Sequence, residues 1–233
     1  MKGLGLLTLL VLIHCQPNKS EKLTLFCASS CQPWLEACLQ SLPEVDRQSV
    51  QVSYGASGTL AQQILMGAPA KMMISAHPEW SRQILDQKHG FAVEMLFHNQ
   101  LVLVGRTESF SSVEEALAKN AWVMGDPGYV PLGAYTQQAL TGLGLNYKDL
   151  KPIFADSARS AVALLQSGHV QLGVLFRSDA LSANLPILYS FAENIHDPIQ
   201  YELLWQENDK QTAHWREILL NKRNLAYPFG FEG

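Results

Sequence analysis

Ser53-Tyr54-Gly55-Ala56-Ser57-Gly58-Thr59-Leu60-Ala61 is the stretch whose reading decides the fold. Just before and within it, Val50, Val52 and Tyr54 alternate with Gln51 and Ser53, the period of a half-buried strand. From Thr59 onward Leu60, Ile64 and Leu65 fall at helical spacing. A strand therefore runs through small residues straight into a helix, whose first N–H groups lack partners in their own helix and point back over the turn. With the positive end of the helix dipole they form an anion site that needs no cationic side chain, and Ser57 adds a hydroxyl. Taken alone, a Ser-Gly-Thr turn has a simpler explanation, in which Ser57 only caps its own helix.

The same pattern recurs on both sides. Residues 23–27 read as a strand, Ala28-Ser29-Ser30 as a turn, and 31–42 as a helix with Trp34, Leu35, Cys38, Leu39 and Leu42 on one face. Pro33 suits the first turn of that helix and Pro43 ends it. Residues 71–76 give a third strand and 78–88 another helix. Three successive strand–helix units predict a parallel sheet with right-handed crossovers. Ligands of such sheets sit beyond the carboxyl ends of the strands, where Ser30 and Ser57 lie.

Residues 93–97 and 101–105 form a long strand pattern broken at His98-Asn99-Gln100, read as a crossing between lobes. A second α/β series follows. It has a helix at 112–119, with a capping box from Ser111 and Glu114 or from Ser112 and Glu115, and a strand at 121–125. Asp126-Pro127-Gly128-Tyr129-Val130-Pro131-Leu132-Gly133 then leads into a helix through Leu143. Strand 152–155, helix 158–166, strand 172–176, helix 178–183 and strand 187–191 complete it. Residues 199–205 read as a return strand and 210–221 as a terminal helix, on which the tail Tyr227-Pro228-Phe229-Gly230-Phe231 is expected to dock. The expected fold class is α/β, with two α/β lobes, a hinge and an interlobe ligand cleft. Residues 22–98 plus 202–233 make lobe 1, and 99–201 make lobe 2, inserted in the first. Hinge closure of two such lobes clamps a small ligand.

Composition sets the outer bounds. The 233 residues are 47% hydrophobic and 16% charged, enough apolar sequence to bury a sizeable core. A net charge of -4 leaves no basic footprint for nucleic acid, and no zinc-type spacing of Cys and His occurs. Lys2 followed by the apolar run 3–13 reads as an export segment, too short to span a bilayer. Leu12-Ile13-His14-Cys15 resembles a bacterial lipobox, with His14 standing where a small residue is usual. Residues 1–21 are therefore a signal peptide or a lipoprotein anchor plus tether, either lipidated at Cys15 or simply cleaved. The remaining Cys27, Cys31 and Cys38 are expected to be buried small hydrophobes. Cys31 and Cys38 lie about 10 Å apart along a helix, beyond disulfide reach, whereas a Cys27–Cys31 bridge is conceivable.

Several short motifs occur in a fixed order: Phe26-Cys27-Ala28-Ser29-Ser30, Tyr54-Gly55-Ala56-Ser57-Gly58-Thr59-Leu60-Ala61, Gly67-Ala68-Pro69-Ala70, Ile74-Ser75-Ala76, Gly125-Asp126-Pro127 with Val130-Pro131 and Gly133, Gly173-Val174, and Ser178-Asp179-Ala180. In this the chain resembles the molybdate-binding periplasmic proteins of ABC importers, over about residues 23–231. The resemblance implies a two-lobed periplasmic-binding-protein-like fold. It further implies capture of molybdate or tungstate without chemistry on the ligand, delivery to an ABC importer permease, and a monomer without cofactor. The location implied is the periplasm or the extracytoplasmic face of the inner membrane, with membrane contact only through a lipid anchor. Carried over residue by residue, it makes Ser30 and Ser57 hydroxyl and backbone donors, and Leu132 and Ala158 backbone N–H donors. These four would hold the metal, bound as the molybdate oxyanion. The family's fifth contact, a tyrosine hydroxyl, falls at Phe176 in Val174-Leu175-Phe176-Arg177. There the hydroxyl is absent and must be missing, replaced by water, or supplied by a group such as Ser178 or Arg177.

An all-donor cleft suits a fully deprotonated tetrahedral dianion such as molybdate, tungstate or sulfate. Hydrogen phosphate carries a proton and wants an acceptor, which only Asp126 or Asp156 turned inward would supply. Asp126 is expected to brace its turn and Asp156 to cap the helix after it. The alternative functions are binding of another small oxyanion such as sulfate, or an enzyme on the same scaffold with Ser57 as nucleophile or His77 as base.

Overall fold

The computed structural model describes residues 22–106 and 109–233; the export segment with Cys15 lies outside the described residues. The chain begins with β1 (Leu23–Ala28), a 3-10 turn (Ser29–Cys31), α1 (Gln32–Gln40), α2 (Glu44–Ser49), β2 (Val50–Gly55) and α3 (Ser57–Leu65). Then come β3 (Met72–Ser75), α4 (Pro78–Gln87) and β4 (Phe91–Asn99). After Gln100 the second series runs β5 (Leu101–Gly105), α5 (Val113–Lys119), β6 (Trp122–Gly125), α6 (Pro131–Gly142), β7 (Ile153–Ala155), α7 (Ala158–Gln166), β8 (Leu172–Phe176), α8 (Arg177–Ser182) and β9 (Ile187–Ser190). The chain returns through β10 (Ile199–Gln206) to α9 (Lys210–Asn221) and a 3-10 segment (Arg223–Phe229).

Two five-stranded sheets result, ordered β2-β1-β3-β10-β4 and β7-β6-β8-β5-β9. Strands β1, β2 and β3 are parallel, as the three strand–helix units require, and so are β7, β6 and β8. The crossing strands differ: β10 runs antiparallel to both β3 and β4, and β5 antiparallel to β8 and β9. Because β4 and β5 follow one another through Gln100, one extended segment serves both sheets. Both β5 and β8 are buried along their whole length, as expected of near-continuous apolar strands covered on both faces.

Strand register positions the turns. Ala28 pairs with Gly55 and Cys27 with Ile74, so β1, β2 and β3 end at one edge of their sheet. Gly125 pairs with Ala155, which sets the starts of α6 and α7 side by side on the other lobe.

The core runs continuously through the hinge, where Phe97 meets Trp34, Tyr201 and Phe231 at ring-centroid distances of 5.0, 5.5 and 4.4 Å. The 3-10 segment that holds most of the tail contacts α9, as expected. Just past the tail the chain also reaches the crossing strand: His98 N–H donates to the Glu232 carbonyl at 2.7 Å and Glu232 N–H to the His98 carbonyl at 3.0 Å. Cys27, Cys31 and Cys38 are free and buried, so the conceivable Cys27–Cys31 bridge is not made. Helix α2 has no counterpart in the sequence reading, because none of its residues is buried and no apolar stripe marks it.

Candidate functional site

A small cavity opens where the two sheet edges face each other. Ser29, Ser30, Gly55, Ala56, Ser57 and Ala76 form its wall on the first lobe; Val130, Pro131, Leu132, Ala158 and Phe176 form the wall on the second. The five positions singled out in the sequence, Ser30, Ser57, Leu132, Ala158 and Phe176, are thus brought together. No lining residue carries a charged side chain. The space between the lining atoms is about 190 Å³, which suits a ligand of few atoms.

Ser57 is the first residue of α3, whose N-cap is Ala56 and carries no side-chain cap; the capping explanation for Ser57 is not realised. Its hydroxyl oxygen accepts the Ala76 backbone N–H at 3.0 Å. With a protein donor on one lone pair of that oxygen, the hydroxyl hydrogen is free to turn into the cavity. Ser30 Oγ lies 2.7 Å from the Tyr201 hydroxyl.

On the second lobe Pro131 opens α6 and has no N–H, so Leu132 presents the first donor of that helix. Ala158 opens α7 behind Ser157, which closes a capping box with Ser160: Ser157 Oγ accepts Ser160 N–H at 3.1 Å and Ser160 Oγ accepts Ser157 N–H at 3.0 Å. The expectation that Asp156 is the cap is therefore corrected; its Oδ1 accepts the Ser160 hydroxyl at 2.5 Å. Asp126 does brace its turn, with Oδ1 accepting Gly128 N–H at 2.8 Å. Neither carboxylate lines the cavity. Three helix N-termini and the hydroxyls of Ser29, Ser30 and Ser57 meet at this cavity with no carboxylate in its wall, an arrangement that stabilises a small, fully deprotonated anion by dipoles and N–H groups.

Phe176 is buried at the end of β8, its ring centroid 6.2 Å from that of Tyr135 and 6.0 Å from that of Tyr201. The two substitute donors considered for it, Ser178 and Arg177, do not line the cavity. Ser178 Oγ instead accepts Asn99 Nδ2–H at 2.8 Å.

Contacts across the cleft hold the closed arrangement. Gly58 N–H donates to the Tyr129 carbonyl at 3.2 Å, and Arg159 Nη1–H to Gln32 Oε1 at 2.5 Å. His77, whose Nδ1 accepts Glu79 N–H at the start of α4, packs its ring 4.8 Å from Tyr135; burial lowers its pKa. Asp179 is buried with Oδ2 unpartnered among the described residues, and burial pushes its carboxyl up to about 7.

Tyr201 and Asn99 were not singled out from sequence. Tyr201 lies 171 residues from Ser30, and the one hint was the break at His98-Asn99-Gln100.

A family model described as bacterial extracellular solute-binding protein matches residues 23–221. The chain is 30% identical to the molybdate-binding protein ModA of Escherichia coli (strain K12) over 194 residues, covering 77% of this chain and 75% of that one. It is 32% identical to the putative ABC transporter substrate-binding lipoprotein YvgL of Bacillus subtilis (strain 168), covering 92% and 88%. Among solved structures, the substrate-binding domain of a putative molybdenum ABC transporter from Clostridium difficile superposes with a TM-score of 0.67 at 27% identity, covering 91% of this chain and 99% of that one. The chain thus belongs to the bacterial extracellular solute-binding protein family.

Proposed function

We propose that this protein captures molybdate or tungstate outside the cytoplasmic membrane and hands it, chemically unchanged, to the permease of an ABC importer. The observation that carries the reading is the cavity itself: Ser30, Ser57, Leu132 and Ala158 line one small space, with no charged side chain in its wall. A tetrahedral dianion offers acceptors in every direction and matches that wall. The relatives named for molybdate support the choice of anion within this class. The protein acts as a monomer without a cofactor, in the periplasm or at the outer face of the inner membrane, held there by a lipid on Cys15 where that residue is modified.

Sulfate is the second reading, favoured by one observation. Phe176 removes a hydroxyl at the cavity wall, so the donor set is not that of the molybdate-binding family. Calorimetric titration with molybdate, tungstate, sulfate and phosphate separates the readings. Binding of a group 6 anion well above sulfate is expected, and a folded protein that releases no heat with either group 6 anion overturns the proposal.

A further inference from the structure

The hinge holds a hydrogen-bonded chain whose polarity can be assigned from its far end. Asn99 Oδ1 accepts two backbone N–H groups, Gln100 at 2.9 Å and Ser178 at 3.4 Å. Those two donors fix which way the amide points, so Nδ2 is the atom directed at the Ser178 hydroxyl, 2.8 Å away, and at the Tyr201 hydroxyl, 3.4 Å away. Tyr201 is completely buried. Among the described residues, the remaining partner within reach of its hydroxyl is Ser30 Oγ at 2.7 Å. The Tyr201 proton therefore lies on the Ser30 side, Ser30 accepts it, and the Ser30 hydroxyl hydrogen is turned to the cavity. Ser57 is set the same way by Ala76 N–H. Of the three serines in the cavity wall, Ser30 and Ser57 are thus held as donors by protein donors behind them.

We propose that Tyr201, oriented by Asn99, is a positioning and specificity-determining residue that locks Ser30 as a hydrogen-bond donor and so makes the site reject anions carrying a proton. This rests on the reading of the cavity as an oxyanion site. Its chemistry follows from donor counting. Hydrogen phosphate presents an O–H that must find an acceptor, and a Ser30 hydroxyl whose hydrogen is already turned to the cavity meets it donor to donor; a fully deprotonated dianion accepts that hydrogen. Leaving a buried donor facing a donor is what gives discrimination by hydrogen bonding its strength. The Tyr201 ring lies 6.0 Å from that of Phe176, the cavity-wall residue without a hydroxyl.

The test compares molybdate and phosphate binding by calorimetry, near pH 8 so that phosphate is present as hydrogen phosphate, for the full chain, Tyr201→Phe, Ser30→Ala and the double variant. Tyr201→Phe is expected to weaken molybdate by about tenfold and to narrow the molybdate-to-phosphate preference by about fivefold or more. In the Ser30→Ala background the same change is expected to alter molybdate affinity by less than about twofold. A folded Tyr201→Phe protein with unchanged preference overturns the proposal while leaving the oxyanion function standing. An equal loss in both backgrounds also overturns it, since the tyrosine then acts on packing and not through Ser30. Absence of molybdate binding by the unmodified protein removes both. Should Tyr201→Phe not fold, Asn99→Ala leaves the tyrosine hydroxyl but frees its proton; it must shift the preference in the same direction, and an unshifted preference overturns the assignment.

Discussion

Gly58 donates its backbone N–H to the carbonyl oxygen of Tyr129, 3.2 Å away on the opposite lobe. A Cβ added at Gly58 would lie 2.5 Å from that oxygen and 2.7 Å from the Trp80 ring. The ring can yield, but the carbonyl is backbone of the facing lobe. Gly58→Ala is therefore predicted to hold the lobes apart. Ligand affinity should fall by about tenfold or more, while unfolding of the ligand-free protein shifts by only about 1 kcal/mol from repacking Trp80. Affinity measured by calorimetry and melting measured without ligand check the two halves separately.

Restoring a hydroxyl at the cavity wall is the converse experiment. Phe176 lines the cavity and is buried. Phe176→Tyr is predicted to strengthen molybdate binding by about tenfold or more, the scale of one hydrogen bond to a charged acceptor, about 1.5 to 3 kcal/mol. Unimproved molybdate binding together with improved sulfate binding would favour the second reading of the ligand.

Asp179 predicts a pH dependence of stability. Its carboxyl is raised from an ordinary value of 3.8 to about 7 because it is buried, with Arg159 opposing the shift. Between those values the folded protein keeps a proton that the unfolded chain has released, so stability falls as pH rises from about 4 to about 7 and stays lowered above it. Asp179→Asn removes this titration. At pH 8 it should raise the unfolding free energy by about 1 to 3 kcal/mol, and at pH 4 it should give no gain. Denaturant unfolding at the two pH values measures both.

The tail is structural. Phe231 is buried against Phe97 and Tyr201, at 4.4 and 5.1 Å between ring centroids. Phe231→Ala is predicted to destabilise the protein by about 3 to 5 kcal/mol. A loss under 1 kcal/mol in denaturant unfolding would contradict the packing described.

Where local chemistry sets an element's ends, the sequence was legible. Residues 158–166, 172–176 and 210–221 were read with the bounds the structure has: Ser157 caps the first, Asp209 the last, accepting Gln211 and Thr212 N–H, and the second is a wholly apolar run. The cavity wall was legible for a related reason, since turns after parallel strands must open on one edge, and Ser30, Ser57, Leu132, Ala158 and Phe176 all sit at or beside such turns. What escaped depended on distance along the chain or on exposure. Tyr201 meets Ser30 only because β10 returns to the first sheet after the whole second lobe. The bridge from Glu232, just past the tail, to His98 is likewise long-range, and α2 has no buried face to betray it. Asp156 is not the cap because the N-cap position falls on Ser157, one residue on, whose hydroxyl accepts Ser160 N–H.

The central claim is that an oxyanion sits between two serine hydroxyls and two helix-start N–H groups. The most direct measurement is a crystal structure of the protein grown with molybdate, with molybdenum located by its anomalous scattering. The account predicts one strong peak in the interlobe cavity, with oxygens within hydrogen-bond distance of Ser30 Oγ, Ser57 Oγ and the backbone nitrogens of Leu132 and Ala158. A peak elsewhere on the protein, or an empty cavity under saturating molybdate, would contradict it.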